Sequence, residues 1–132
     1  YELDEESILA LNNLAEGLMD NTNFIVQITG HTDDIGSQYQ NKKLSQKRAD
    51  VCFDYLVSIG VNPGQLITKA MGKKEPFVIE VEDGRFKVGD VLTESYIRKI
   101  KFKKNKQKAN SYNRRAAFRV ISKEYNTVVE DN

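Results

Sequence analysis

Phe24-Ile25-Val26-Gln27-Ile28-Thr29-Gly30-His31-Thr32-Asp33-Asp34-Ile35-Gly36 is the stretch on which the fold turns. Phe24, Val26 and Ile28 alternate with Ile25, Gln27 and Thr29, a period of two that predicts a strand ending near Gly30. A polar loop is expected from His31 to about Lys43. Ser45 then has the chemistry of a helix cap. Beyond it Ala49, Cys52, Phe53, Leu56 and Ile59 form one apolar stripe, while Asp50, Asp54 and Ser58 share the opposite face, and Gly60 stops the helix. Val61-Asn62-Pro63-Gly64 is a turn by composition, and Gln65 to Met71 reads as a second strand. The product is a strand-helix-strand unit with a right-handed crossover.

Upstream of that unit, Ile8, Leu11, Leu14, Ala15 and Leu18 recur at helical spacing behind Asp4, Glu5 and Glu6, predicting a helix over roughly residues 4 to 20. Downstream, residues 77 to 110 read as an insertion. Asp83-Gly84 lies between Ile79, Val81 and Phe86, Val88, which predicts a hairpin with a tight turn, and Thr93 is placed to cap a short helix through about Phe102. Ala116 to Ser122, with Phe118 and Val120 on one face, reads as a final strand that completes a small mixed sheet, leaving residues 123–132 as a tail.

The length of 132 residues suits one domain, spanning residues 1–132, and the 39% apolar and 30% charged composition is that of a globule able to bury a core. No run of about 18 apolar residues is present to cross a bilayer, so any signal peptide, anchor or partner domain is expected outside this stretch. The lone Cys52 excludes an internal disulfide and leaves the compartment open. Charge is uneven: residues 1 to 23 carry acids without a Lys or Arg, whereas Arg98, Lys99, Lys101, Lys103, Lys104, Lys106 and Lys108 form a run without an acid.

Asp33 falls just past the carboxyl end of the first predicted strand, and Arg48 falls in the first turn of a helix capped at Ser45. In open α/β sheets ligands sit in that crevice, and a helix N-terminus favours an anion there. An ammonium beside Asp33 and a carboxylate beside Arg48 make a matched site for a free amino-acid centre. Taken alone, the same residues fit a turn-forming Asp and an arginine that merely pairs with it.

The motifs carry more than the pair. Gly30-His31-Thr32-Asp33, the following Gly36, Asn41 through Ala49 and Asn113-Arg114-Arg115 strongly resemble, in order and spacing, the signature of OmpA-like peptidoglycan-binding domains, from about residue 4 to residue 122. Gly89-Asp90-Val91-Leu92-Thr93 resembles a variant common in Bacteroidetes. The resemblance implies an α+β sandwich of βαβαββ order with helices packed on a small mixed sheet, plus the insertion before the last strand, its first strand expected to be missing here. It implies a non-catalytic periplasmic domain of a Gram-negative outer-membrane protein or lipoprotein, tied without a cofactor to the meso-diaminopimelate stem of peptidoglycan. By the same resemblance Asp33 and Arg48 contact the two ends of the diaminopimelate centre, and Gly30, Thr32, Asn41, Leu44, Asn113, Arg114 and Arg115 complete the ligand-binding set. Which of Arg114 and Arg115 faces the ligand stays open.

Two other classes of function compete with this one. A metal or catalytic centre needs more than His31 with Asp33 and Asp34, and Cys52 falls on the apolar stripe, where a buried inert thiol is the ordinary outcome. The basic run at 98–108, interleaved with Ile100 and Phe102 and near Tyr96 and Tyr112, fits a solvated loop, and the alternative is a module for nucleic acid or an anionic lipid surface. With peptidoglycan as the partner, no nucleic acid is expected.

Overall fold

The computed structural model describes residues 3–33 and 35–121. The elements run α1 (Glu5–Asp20), β1 (Val26–His31), α2 (Gln38–Ser58), a short 3-10 turn (Pro63–Gln65), β2 (Leu66–Gly72), α3 (Glu94–Arg98), α4 (Lys103–Asn113) and β3 (Arg115–Val120). Among the described residues the sheet has three strands in the order β2-β1-β3. β1 runs parallel to β2, with Val26 opposite Leu66, and antiparallel to β3, with Val26 opposite Val120. This is the small mixed sheet of an α+β fold, and α2 supplies the crossover between its parallel strands. No helix among the described residues is long and apolar enough to cross a membrane.

The apolar spacing read from the sequence is what builds the main core. Leu11, Ala15 and Leu18 of α1, Val26 and Ile28 of β1, and Ala49, Cys52 and Leu56 of α2 are buried together. Asp4 caps α1, accepting the Ser7 N–H at 2.7 Å, so its carboxyl is held below the usual carboxylate range by that bond. Buried Gln65 places its side-chain nitrogen within 3.0 Å of the Leu18 carbonyl and 3.1 Å of those of Asn21 and Phe24. The connection from α1 into β1 is thereby satisfied from the far side of the crossover.

The start of α2 departs from expectation. Ser37, not Ser45, is the cap: its hydroxyl accepts the Gln40 N–H at 3.1 Å while the Gln40 side chain accepts the Ser37 N–H at 3.3 Å. This capping box extends the helix back through Gln38-Tyr39-Gln40-Asn41-Lys42-Lys43, a stretch whose polarity had read as loop. Ser45 is instead buried inside α2, where its hydroxyl donates to the Lys42 carbonyl at 2.8 Å and accepts the Gly72 N–H at 3.0 Å. The helix is thus tied to the end of β2.

The region inserted between β2 and β3 has a core of its own. Ile79, Phe86, Leu92, Ile97, Ile100 and Ala109 are buried in it, with Phe77, Tyr96 and Tyr112 packed alongside. Asp83 and Phe86 exchange backbone hydrogen bonds around Gly84, whose φ of 58° is one that glycine adopts freely. The predicted tight turn is present, but the flanking strands are not. Ile79 donates to Asp90 and accepts from Gly89, which bends the chain back before a ladder extends. Thr93 caps α3 as expected, accepting the Tyr96 N–H at 3.1 Å, but that helix ends at Arg98. α4 was not anticipated, because its Lys-rich sequence buries only Ala109 and Asn113 and so shows no apolar stripe.

Candidate functional site

The site residues gather where β1 leaves the sheet. Thr32 donates its backbone N–H to the Gly72 carbonyl at 2.8 Å, which carries the pairing with β2 one step past the strand. Asp33 follows, nearly buried at 7% exposure. One carboxylate oxygen accepts the Ile35 N–H at 3.0 Å, a local turn, and the other accepts Arg114 Nη1 at 2.6 Å. The turn-forming role weighed for Asp33 is therefore real, and it coexists with a charge pair.

Its partner differs from the sequence expectation. With α2 beginning at Gln38, Arg48 lies well inside the helix rather than in its first turn, so the helix N-terminus does not supply the anion site argued for it. Arg48 is turned inward, 6% exposed, and donates Nη1 to the His31 carbonyl at 3.0 Å. The β1–β3 register decides which arginine meets Asp33. Because His31 pairs with Arg115 in antiparallel fashion, the residue before β3 comes to lie beside the residues after β1. Arg114 reaches Asp33 with its side chain 40% exposed.

Arg115 takes a separate course. It donates to the Asn113 and Glu75 carbonyls at 3.4 and 3.1 Å and lies over the Phe77 ring, 5.3 Å from its centroid, and burial lowers its pKa. Asn113 is buried and clamps the insertion, accepting the Phe77 N–H at 2.8 Å and donating to the Leu92 carbonyl at 3.0 Å. Removing that amide leaves two backbone groups without their partner, so Asn113→Ala is expected to cost about 2 kcal/mol. Hydrogen exchange should speed at Phe77 and its neighbours while the α1–α2 core keeps its protection. An unchanged exchange profile would refute the clamp.

Gly30 has a packing role, since β1 and α2 touch there. Leu44 is 39% exposed on α2. Thr32 and Asn41 are buried, and among the described residues Thr32 Oγ1 and Asn41 Nδ2 make no hydrogen bond. Asn41 lines a cleft of about 210 Å3 with Lys42, Met71, Gly72 and Lys73. Arg114 lines another, of about 310 Å3, with Asp4, Glu6 and Ser7 at the start of α1 and with Ala116 and Phe118 of β3. Open space thus lies beside Arg114 and, separately, beside Asn41.

His31 is 1% exposed, and burial, with Arg115 nearby, pushes its pKa down to about 4. Its Nε2 lies 2.9 Å from the Thr29 hydroxyl. Burial also pushes the Cys52 thiol up to about 11, far from a reactive thiolate. Around the end of β1 the chain offers one carboxylate, two guanidinium groups and two buried polar side chains with hydrogen-bonding capacity to spare. The capping box and the Arg114 pairing were the features missed from sequence. Ser37-x-x-Gln40 was readable as a cap signal; nothing local marked Arg114 over Arg115.

Comparison with known proteins places the chain in a family. The OmpA family model matches residues 1–88. The peptidoglycan-associated lipoprotein of Buchnera aphidicola is 42% identical over 76 residues, 58% of this chain and 44% of that protein, so the match spans under half of the relative. Among solved structures, the peptidoglycan-associated lipoprotein of Burkholderia pseudomallei superposes with a TM-score of 0.66 at 21% identity, covering 92% of this chain and 82% of that one. The C-terminal domain of Helicobacter pylori MotB gives 0.63 at 14% identity, over 98% and 88%. These two likenesses are of fold.

Proposed function

The chain belongs to the OmpA family, and from that premise we propose that it binds peptidoglycan without catalysis, holding the free amino-acid end of a diaminopimelate-type stem and anchoring an envelope protein to the wall. The observation that carries the reading is the buried carboxylate of Asp33 between a local turn and the Arg114 guanidinium, with Arg48 holding the His31 carbonyl two residues before it. A carboxylate offers about four lone-pair sites, and two are used here. An ammonium group docks on the remainder without displacing Arg114. Arg114 then faces the ligand's carboxylate and Thr32 and Asn41 supply neutral hydrogen bonds, while Arg48 fixes the His31 carbonyl at the end of β1. The relatives named for peptidoglycan association support the wall as partner and a periplasmic place. Selection of diaminopimelate over lysine rests on the zwitterionic complement alone, because lysine in a stem lacks the second carboxylate.

Each charge-assisted hydrogen bond contributes roughly 1.5 to 3 kcal/mol, so a single stem is held at micromolar to millimolar strength. Many stems on one polymer raise retention without new contacts. The test is sedimentation with purified peptidoglycan bearing diaminopimelate or lysine stems. Asp33→Asn, which keeps shape and removes charge, is expected to weaken binding by about tenfold or more, and Arg48→Lys to weaken it less than additively with Asp33→Asn. Full binding by the Asp33→Asn chain, with its circular dichroism unchanged, would overturn the site.

A further inference from the structure

We propose that the corner between α3 and α4 is a docking surface for an anionic phospholipid bilayer, with Phe102 as its apolar anchor. Lys99, Lys101, Lys103 and Lys104 are exposed around Phe102, which is itself 70% exposed. None of these four lysines makes an ion pair among the described residues; in the same run only Lys108 does, to Asp83 at 2.7 Å. The nearby acids are engaged elsewhere: Asp83 by Lys108 and Tyr112, Asp90 by Tyr96 and the Lys87 N–H, and Glu94 of α3 by Lys73 at 3.9 Å. The corner therefore presents concentrated positive charge around one protruding ring. It is held by the insertion's own buried core, in which Ile97 and Ile100 flank Lys99 and Ala109 follows Lys104.

The aromatic side chains decide between lipid and nucleic acid. Single strands are bound on several aromatic platforms in a basic groove, and Tyr96 and Tyr112 are the other rings of this region near the basic run. Both are turned into the insertion core and bonded to carboxylates, and Ile100 is buried as well. One ring amid free lysines remains, which matches a bilayer interface: cations at the headgroups and a single apolar side chain below them. This surface is independent of the Asp33 site and does not need the wall-binding reading.

The test is co-sedimentation of the chain with vesicles of phosphatidylcholine alone and of phosphatidylcholine mixed with phosphatidylglycerol, beside a titration with single- and double-stranded DNA. Binding is expected only on the anionic vesicles, with about fivefold lost for each lysine changed to Gln. Phe102→Ala should lose about tenfold and leave the salt dependence of binding unaltered. The variant with all four lysines changed should still sediment with peptidoglycan, so the two readings fail separately. Equal partition onto neutral vesicles, an unaffected Phe102→Ala chain, or tighter binding to DNA than to anionic vesicles at the same salt would each overturn the proposal.

Discussion

Replacing Gly30 with alanine is expected to leave most of the chain unfolded. A Cβ built there lies 1.7 Å from the Ser45 carbonyl oxygen and 2.6 Å from its carbonyl carbon. Both are backbone atoms, so no rotamer change relieves the overlap and α2 itself must move away from β1. That movement breaks the Gly72 N–H to Ser45 Oγ bond and loosens Ala49 and Cys52 in the core. Losses above about 4 kcal/mol are rare for one substitution, and this contact belongs to that class. A domain of this size holds only about 5–15 kcal/mol in all. Urea unfolding followed by circular dichroism measures it. Adding Ser45→Gly should not rescue the variant, since the clash is with main chain. A Gly30→Ala chain with the parent's midpoint would mean that β1 and α2 do not meet in this way.

The second large effect is acid sensitivity through His31. Its folded pKa of about 4 lies below the ordinary value of 6.5, because burial disfavours the imidazolium and Arg115 adds like charge. The unfolded chain therefore binds this proton first. The neutral ring's contribution is complete above about pH 6.5 and is lost as pH falls toward 4. The slope is about 1.4 kcal/mol per pH unit, giving a loss on the order of 3 kcal/mol across the window. Denaturant unfolding at a series of pH values should show this decline in the parent chain and not in His31→Gln, whose amide does not titrate. Parallel curves for the two would show that His31 is not the group responsible. Asp83 and Asp90, whose folded pKa values are lowered by their hydrogen bonds, add a separate weakening at lower pH.

Much of the architecture was legible from periodicity. The apolar face of α1, the alternation in β1, the strand after Asn62-Pro63-Gly64 and the final strand each follow from residues a few positions apart. The boundary of α2 was misplaced because Gln38 to Lys43 lie on a polar turn of helix that buries only Asn41. α4 was missed for a related reason: its packing side is made by Ala109, Tyr112 and Asn113, too few apolar residues to stand out from lysines.

For the candidate site, the local sequence determined which charges exist and that Asp33 follows a strand. The tertiary structure alone decided their partners. Asp33 and Arg114 are 81 positions apart, and only the antiparallel seating of β3 on β1 brings them to 2.6 Å. Arg48, much nearer in sequence, is turned inward to the His31 carbonyl from deep within an α2 that begins at Gln38 behind the Ser37 cap. Hydrophobic periodicity is a short-range property and survives in a single sequence. The pairing of long charged side chains depends on strand register and helix rotation, which are fixed only when the whole core packs.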